Sequence, residues 1–118
     1  MPPTHDPQLL KGVLSLLLLQ LLAERESYGY EIVQRLQEIG LGDVLEGTVY
    51  PALARLERED RLSARLVPST AGPARKYYRP TAKGLDALAA GATQWLSLTS
   101  VVSAVLTRPI PASSRKRL

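Results

Sequence analysis

One segment limits what this chain can become. Between Leu9 and Leu22 nearly every position is apolar: Leu9, Leu10, Val13, Leu14, Leu16, Leu17, Leu18, Leu19, Leu21 and Leu22. Asp6 followed by Pro7 reads as a helix start, with Asp6 as the N-cap and Pro7 at the first helical position, where its missing N–H is no loss. The pattern predicts a helix over residues 7–23. A helix that is apolar on nearly all sides must be covered on most of them. The chain has 118 residues, which makes one domain with a modest core. Full cover for this helix therefore calls for a second subunit.

Several function classes fall away early. The strongly apolar run, residues 13–22, is about ten residues long, whereas a bilayer span needs about twenty. Residues 1–8 hold no Lys or Arg, and Ala23-Glu24-Arg25 is a poor cleavage site, so a secretory signal is not expected. The expectation is a cytoplasmic protein that does not enter a membrane. There is no Cys, hence no disulfide, thiolate metal site or Cys nucleophile. The single histidine, His5, lies in a Pro-rich stretch and offers neither a zinc site nor a His-based acid–base pair. No spacing suggests a nucleophile with its base. The chain is not expected to be an enzyme, and no cofactor is implied.

Charge is distributed unevenly. Residues 1–60 hold ten acids and five bases, while residues 61–118 hold ten bases and one acid, Asp86. Such asymmetry points to a polyanionic partner, nucleic acid or a membrane surface, with mere solubility as the plain alternative.

Periodicity and turn residues order the rest. Ser27 reads as the cap of a second helix over residues 28–39, ending at Gly40-Leu41-Gly42, with Ile32, Leu36 and Ile39 as its buried stripe. A third helix covers residues 47–60, with Val49, Leu53 and Leu56 on one face. Extended segments at 61–67 and 75–79 flank turn chemistry at 68–73 and predict a hairpin. Thr81 caps a last helix that runs to residue 106. The resulting fold class is mainly α with a small β-hairpin: a winged helix-turn-helix domain followed by a C-terminal dimerisation helix. Its parts are a flexible arm (1–5), the DNA-binding domain (6–80), the dimerisation helix (81–106) and a disordered basic tail (107–118).

The candidate site lies on the third helix and the hairpin. Residues 61–83 contain Arg61, Arg65, Arg75, Lys76, Arg79 and Lys83 and no acid, a pattern suited to lying against phosphates. Tyr77 and Tyr78 interleave with these bases, and strand alternation predicts one in the core and one exposed. Thr48 and Tyr50 sit near the start of the third helix, the end that enters the major groove in helix-turn-helix proteins, and their hydroxyls can bond phosphate or base edges. Thr48 reads equally well as a cap and Tyr50 as half-buried packing. Arg55 and Arg58 suit backbone phosphates, or pairing with Glu59 and its neighbours.

Three motifs then carry a specific resemblance. Gly47-Thr48-Val49-Tyr50-Pro51-Ala52-Leu53-Ala54-Arg55-Leu56-Glu57 resembles the recognition-helix signature of the PadR family. Tyr28-Gly29-Tyr30-Glu31-Ile32 is similar to that family's second-helix start. Arg75-Lys76-Tyr77-Tyr78-Arg79-Pro80-Thr81, with Gly84, resembles its wing and the beginning of its last helix. The chain departs from the family where Leu45-Glu46 stands in place of a frequent Ser-Pro. The resemblance implies a repressor that dimerises through its first and last helices and binds double-stranded DNA at a pseudo-palindromic operator. With Tyr28 added from the second motif, the candidate DNA contacts are Tyr28, Thr48, Tyr50, Arg55, Arg75 and Lys76.

In the last helix Leu85, Leu88, Ala92, Trp95, Thr99, Val102 and Leu106 alternate at spacings of three and four, an a/d seam that predicts a hydrophobic homodimer. Some PadR-type proteins release DNA on binding phenolic or drug-like ligands. In one drug-responsive regulator of the short subgroup, paired tryptophans sandwich flat aromatic ligands; the resemblance carries Trp95 over as a ligand-binding residue, with Leu9, Gly12, Leu16 and Thr99 as pocket lining. Trp95 as a packing residue of the dimer core is the plainer alternative. Two rival readings of the whole remain: a winged-helix protein-interaction module without DNA binding, and a peripheral membrane protein held by the three adjacent bases Arg115, Lys116 and Arg117.

Overall fold

The computed structural model describes residues 5–115; residues 1–4 of the expected arm and 116–118 of the expected tail lie outside it. The order is α1 (Pro7–Glu24), β1 (Ser27–Tyr28), α2 (Gly29–Glu38), α3 (Glu46–Arg58), β2 (Leu62–Ser69), β3 (Gly72–Pro80), α4 (Ala82–Leu106) and a helical turn, α5 (Ala112–Arg115). The last of these lies within the tail expected to be without structure. His5 is tied down: its backbone N–H donates to the Asp43 carboxylate at 3.0 Å.

Helix α1 starts as its sequence dictates. The Asp6 carboxylate accepts from the Gln8 N–H at 2.8 Å, with Pro7 inside the first turn. Its leucines divide by face. Leu10, Leu14, Leu18 and Leu22 recur every fourth residue and are buried with Leu19 and Leu21, while Leu9 is exposed. Against this stripe pack Ile32, Val33 and Leu36 of α2, Val49, Leu53 and Leu56 of α3, and Leu62 of β2. Ile39, expected in the buried stripe of α2, is exposed, and Val33 takes its place. Ile39 sits in the cap beyond the helix end, where the chain is already turning away from the core.

Helices α2 and α3 end alike. In each, the residue after the C-cap takes a left-handed conformation: Gly40 at φ +117° and Asp60 at φ +61°. The next N–H then folds back on the last turn, Leu41 to the Leu36 carbonyl at 3.1 Å and Arg61 to the Leu56 carbonyl at 2.9 Å.

The expected hairpin is two strands of a three-stranded antiparallel sheet of order β1-β3-β2. The strand missed from sequence is β1, where Ser27 faces Tyr78 and Tyr28 faces Tyr77. Ser27 is therefore not the cap of α2. It is fully buried, and its hydroxyl accepts from the Arg35 guanidinium at 2.9 Å; that guanidinium also donates to the Leu21 carbonyl at the end of α1 at 2.7 Å. Pro68 has no N–H for the ladder and sits at the irregularity between Val67 and Ser69.

The beginning of α4 is locked to the end of α3. The Arg61 carbonyl accepts from the Thr81 N–H at 3.1 Å. The Thr81 hydroxyl donates to the Asp60 carbonyl at 2.6 Å and accepts from the Gly84 N–H at 3.0 Å. Gly84 presses against the Arg61 carbonyl so closely that any Cβ there would overlap the oxygen, and backbone cannot swing aside as a side chain does. Gly84→Ala is expected to destabilise the protein by about 1–3 kcal/mol, measured as a lower denaturant midpoint. An unchanged midpoint would refute the close-packed junction.

Candidate nucleic-acid interface

The six residues marked from sequence fall into two groups on either side of α3. Tyr28, Tyr50, Arg75 and Lys76 line one cleft of about 550 Å³, together with Gly29, Tyr30 and Tyr78. The start of α2, the first turns of α3 and strand β3 meet there. Thr48 and Arg55 line a smaller groove of about 260 Å³ on the other side, with Pro7 and Lys11 of α1.

The first cleft is built of tyrosines and bases. The Tyr50 ring lies against Gly29, where a side chain would collide with it. Burial, followed by the nearby Glu46 carboxylate, raises the Tyr50 phenol above its ordinary range, so the hydroxyl keeps its proton and can donate it. Tyr28 packs against Tyr77 with ring centroids 5.3 Å apart, and the Arg75 guanidinium rests 4.5 Å from the Tyr28 ring. Tyr77 and Tyr78 are both half-buried. The expected split into one core and one exposed tyrosine fails because the Tyr28 ring, brought alongside by β1, and the Arg65 guanidinium pack against the Tyr77 ring.

Several bases that look free in the sequence have partners. Lys76 Nζ donates to the Glu57 carboxylate of α3 at 2.7 Å, a bond that raises its pKa. Arg65 Nε donates to both Glu26 oxygens, at 3.0 and 3.1 Å. Arg55 donates to the Ser15 hydroxyl of α1 at 3.1 Å rather than to Glu59. These contacts are largely solvent-exposed, and such pairs exchange partners at little cost.

Helix α3 begins at Glu46 with Leu45 as its N-cap, and no side chain closes that end. Thr48 is thus an exposed third residue rather than the cap. Pro51 falls inside the helix and leaves the Gly47 carbonyl without its helical donor. Sequence reasoning missed Tyr30 and Lys11. Tyr30 was legible as the second tyrosine of Tyr28-Gly29-Tyr30, and Lys11 as the single charge in the first turns of an apolar helix.

The residues marked for a small ligand are partly gathered. Gly12, Leu16 and Trp95 line a cleft of about 470 Å³ between α1 and α4, with Ser15, Arg61 and Gln94. Leu9, one turn before Gly12, and Thr99, next to the lining residue Leu98, are not part of its wall, and the Thr99 hydroxyl donates to the Trp95 carbonyl at 2.7 Å. From residue 93 to its end α4 is exposed throughout, including Leu96, Leu98, Val101 and Leu106. By length and composition alone α1 and α4 would each suffice to cross a bilayer, which the ten-residue run had not suggested. The buried leucines of α1, however, form the core.

Residues 18–90 match the family model described as Transcriptional regulator PadR-like family. The fold is similar to that of a PadR-like transcriptional regulator from Bacillus cereus strain ATCC 14579: 37% identity, 86% of this chain and 99% of that one covered, TM-score 0.77. It is also similar to a PadR family transcriptional regulator from Eggerthella lenta DSM 2243, at 33% identity, 86% and 88% coverage and TM-score 0.78. An uncharacterised protein of Lysinibacillus sphaericus is 29% identical over 96 residues, which are 80% of this chain and 88% of that one.

The Glu26–Arg65 pair sets a pH dependence. The Arg65 guanidinium holds the Glu26 carboxyl below its ordinary value of 4.5. A depressed carboxyl contributes stability that is complete above the unfolded value and fades as pH falls through the folded one. Glu26→Gln is therefore expected to lower the thermal midpoint slightly at pH 7. The gap from wild type should close as pH falls below 4.5. A gap that persists at lower pH would show that the ionised pair is not its cause.

Proposed function

Because the chain belongs to the PadR-like family of transcriptional regulators, we propose that it is a cytoplasmic, sequence-specific repressor that binds DNA as a homodimer and responds to a small aromatic effector. The family is one of regulators rather than enzymes. The observation that carries the DNA-binding reading is the convergence of Tyr28, Tyr50, Arg75 and Lys76 on one face, where the reading helix meets the wing. In this reading Thr48 and Tyr50 enter the major groove, with Arg55 flanking them. Arg75 and Lys76 hold the neighbouring backbone. Lys76 exchanges Glu57 for a phosphate as DNA arrives, and condensed counterions are released.

The dimer reading is supported by the exposed apolar length of α4, too large a surface for a monomer in water. Pairing α1 and α4 across a two-fold axis would place the two reading helices about one helical turn, roughly 34 Å, apart on a pseudo-palindromic operator. The effector reading is supported by the α1–α4 cleft beside Trp95, whose volume of about 470 Å³ suits a drug-sized molecule.

Binding to the DNA upstream of its own gene, followed by gel shift across a salt series, tests the proposal. Lys76→Ala is expected to weaken every sequence similarly and reduce the salt slope by about one. Tyr50→Ala should also change sequence preference, and Glu57→Gln should strengthen binding by releasing Lys76. If none of the three alters binding, the interface is misplaced. Size-exclusion chromatography should give a dimer, and a monomer would remove the role assigned to α4. Flat aromatic dyes should quench Trp95 fluorescence; no quenching at high dye concentration would refute the effector site.

A further inference from the structure

One guanidinium sits behind the wing without facing solvent. Arg35 lies in the last turn of α2, and its side chain is 12% exposed. Its two terminal nitrogens serve three acceptors on the segment that joins α1 to β1. Nη2 donates to the Leu21 carbonyl at 2.7 Å, and Nη1 donates to the Arg25 carbonyl and the Ser27 hydroxyl, each at 2.9 Å. The Glu24 carboxylate stands 3.7 Å away. The Leu21 carbonyl is one of those left over at the end of α1, and it also accepts from the Arg25 N–H at 3.1 Å. A planar fork spans acceptors spread in this way, whereas an ammonium is a single point. Ser27 is fully buried, so bulk water does not take over its bond when the donor is lost.

What this clamp holds is short. Only Arg25 and Glu26 separate α1 from β1, and β1 is two residues long. A strand of that length makes too few ladder bonds to fix itself in place. The neighbours of Ser27 on both sides nevertheless place the arginines of the wing. Glu26 accepts from Arg65 Nε at 3.0 and 3.1 Å. The Tyr28 ring packs 5.3 Å from that of Tyr77, and the Arg75 guanidinium rests 4.5 Å from the Tyr28 ring. The position of Arg75 therefore depends on Tyr28, and that of Tyr28 on the anchored joint.

We propose that Arg35 is a positioning residue for DNA binding: it holds β1 where Tyr28 can carry Arg75 to the DNA backbone, and it touches no DNA itself. This rests on reading the cleft of Tyr28, Tyr50, Arg75 and Lys76 as the DNA interface, and adds the group that sets its geometry from behind. The arrangement of the Arg35 donors matters here, not the charge alone. Without the fork the joint loosens, the Tyr28 ring leaves Tyr77, and Arg75 loses the surface it rests on.

The test is a double-mutant cycle on the full chain, read by fluorescence anisotropy with the DNA upstream of its own gene. It is run at a temperature where circular dichroism shows the variants folded. Arg35→Lys keeps the charge and removes the fork, and is expected to weaken binding about tenfold. Tyr28→Ala is expected to weaken it at least as much. The double variant should bind no worse than Tyr28→Ala alone, because both changes break one chain of contacts. Ser27→Ala, a milder cut, should weaken binding less than Arg35→Lys and have no effect in the Tyr28→Ala background; it decides the matter if Arg35→Lys does not fold. Ile32→Val, which loosens the buried face of α2 without touching the clamp, should bind as the wild type. If Arg35→Lys binds as the wild type, if the two losses add in full, or if Ile32→Val weakens binding equally, the positioning role is overturned while the DNA interface stands. If Tyr28→Ala binds as the wild type, or the wild type does not bind, role and interface fall together.

Discussion

A single carbonyl group, that of Arg61, ties the working parts of this protein together. Helix α3 ends through the left-handed Asp60, and the N–H of Arg61 closes its last turn. The carbonyl of the same residue receives the first hydrogen bond of α4, and Gly84 packs directly on it. The helix that carries Tyr50 and the helix that carries Trp95 are therefore joined by close backbone contacts and by the short Thr81 side chain, not by long adaptable ones. Backbone contacts of this closeness leave no room for adjustment, so the geometry at the two ends of the molecule is coupled through a stiff joint.

The leucine stripe of α1 serves two surfaces at once. Leu14, Leu18 and Leu22 complete the core with α2 and α3, and the adjacent face, Gly12 and Leu16, forms one wall of the α1–α4 cleft. Gly91 allows α4 to approach the Leu16 side chain closely. Helix α1 is thus apolar nearly all round for two separate reasons. One stripe faces the interior, and the other faces a partner helix that is itself mostly uncovered.

The interface residues show a second economy. Glu26 and Glu57 hold Arg65 and Lys76 in place on the wing. Exposed pairs of this type contribute little to stability, but they pre-order long flexible side chains, Lys76 at the tyrosine-lined cleft and Arg65 over the Tyr77 ring. The same carboxylates keep an otherwise strongly basic surface from being uniformly positive.

Much of this was legible without coordinates, for reasons that are local. Asp6-Pro7, Gly40 and Thr81 mark helix ends because capping depends on neighbours a few residues away. The spacing of Val49, Leu53 and Leu56 identifies the buried face of α3, and the acid-free run at residues 61–83 marks the wing. Two-residue β1 escaped notice, since Ser27 and Tyr28 become a strand only because Tyr77 and Tyr78 arrive beside them. With that strand came the true role of Ser27 and the half-burial of both wing tyrosines. The sequence by itself determined the helices, their order and the basic wing, because propensity, periodicity and caps act over single turns. Only the tertiary structure decided which cations are paired, that Thr48 and Arg55 face a different groove from Tyr50, and that the buried Arg61 Nε has no hydrogen-bond partner among the described residues. Those outcomes depend on which distant elements pack together, and no local pattern encodes that.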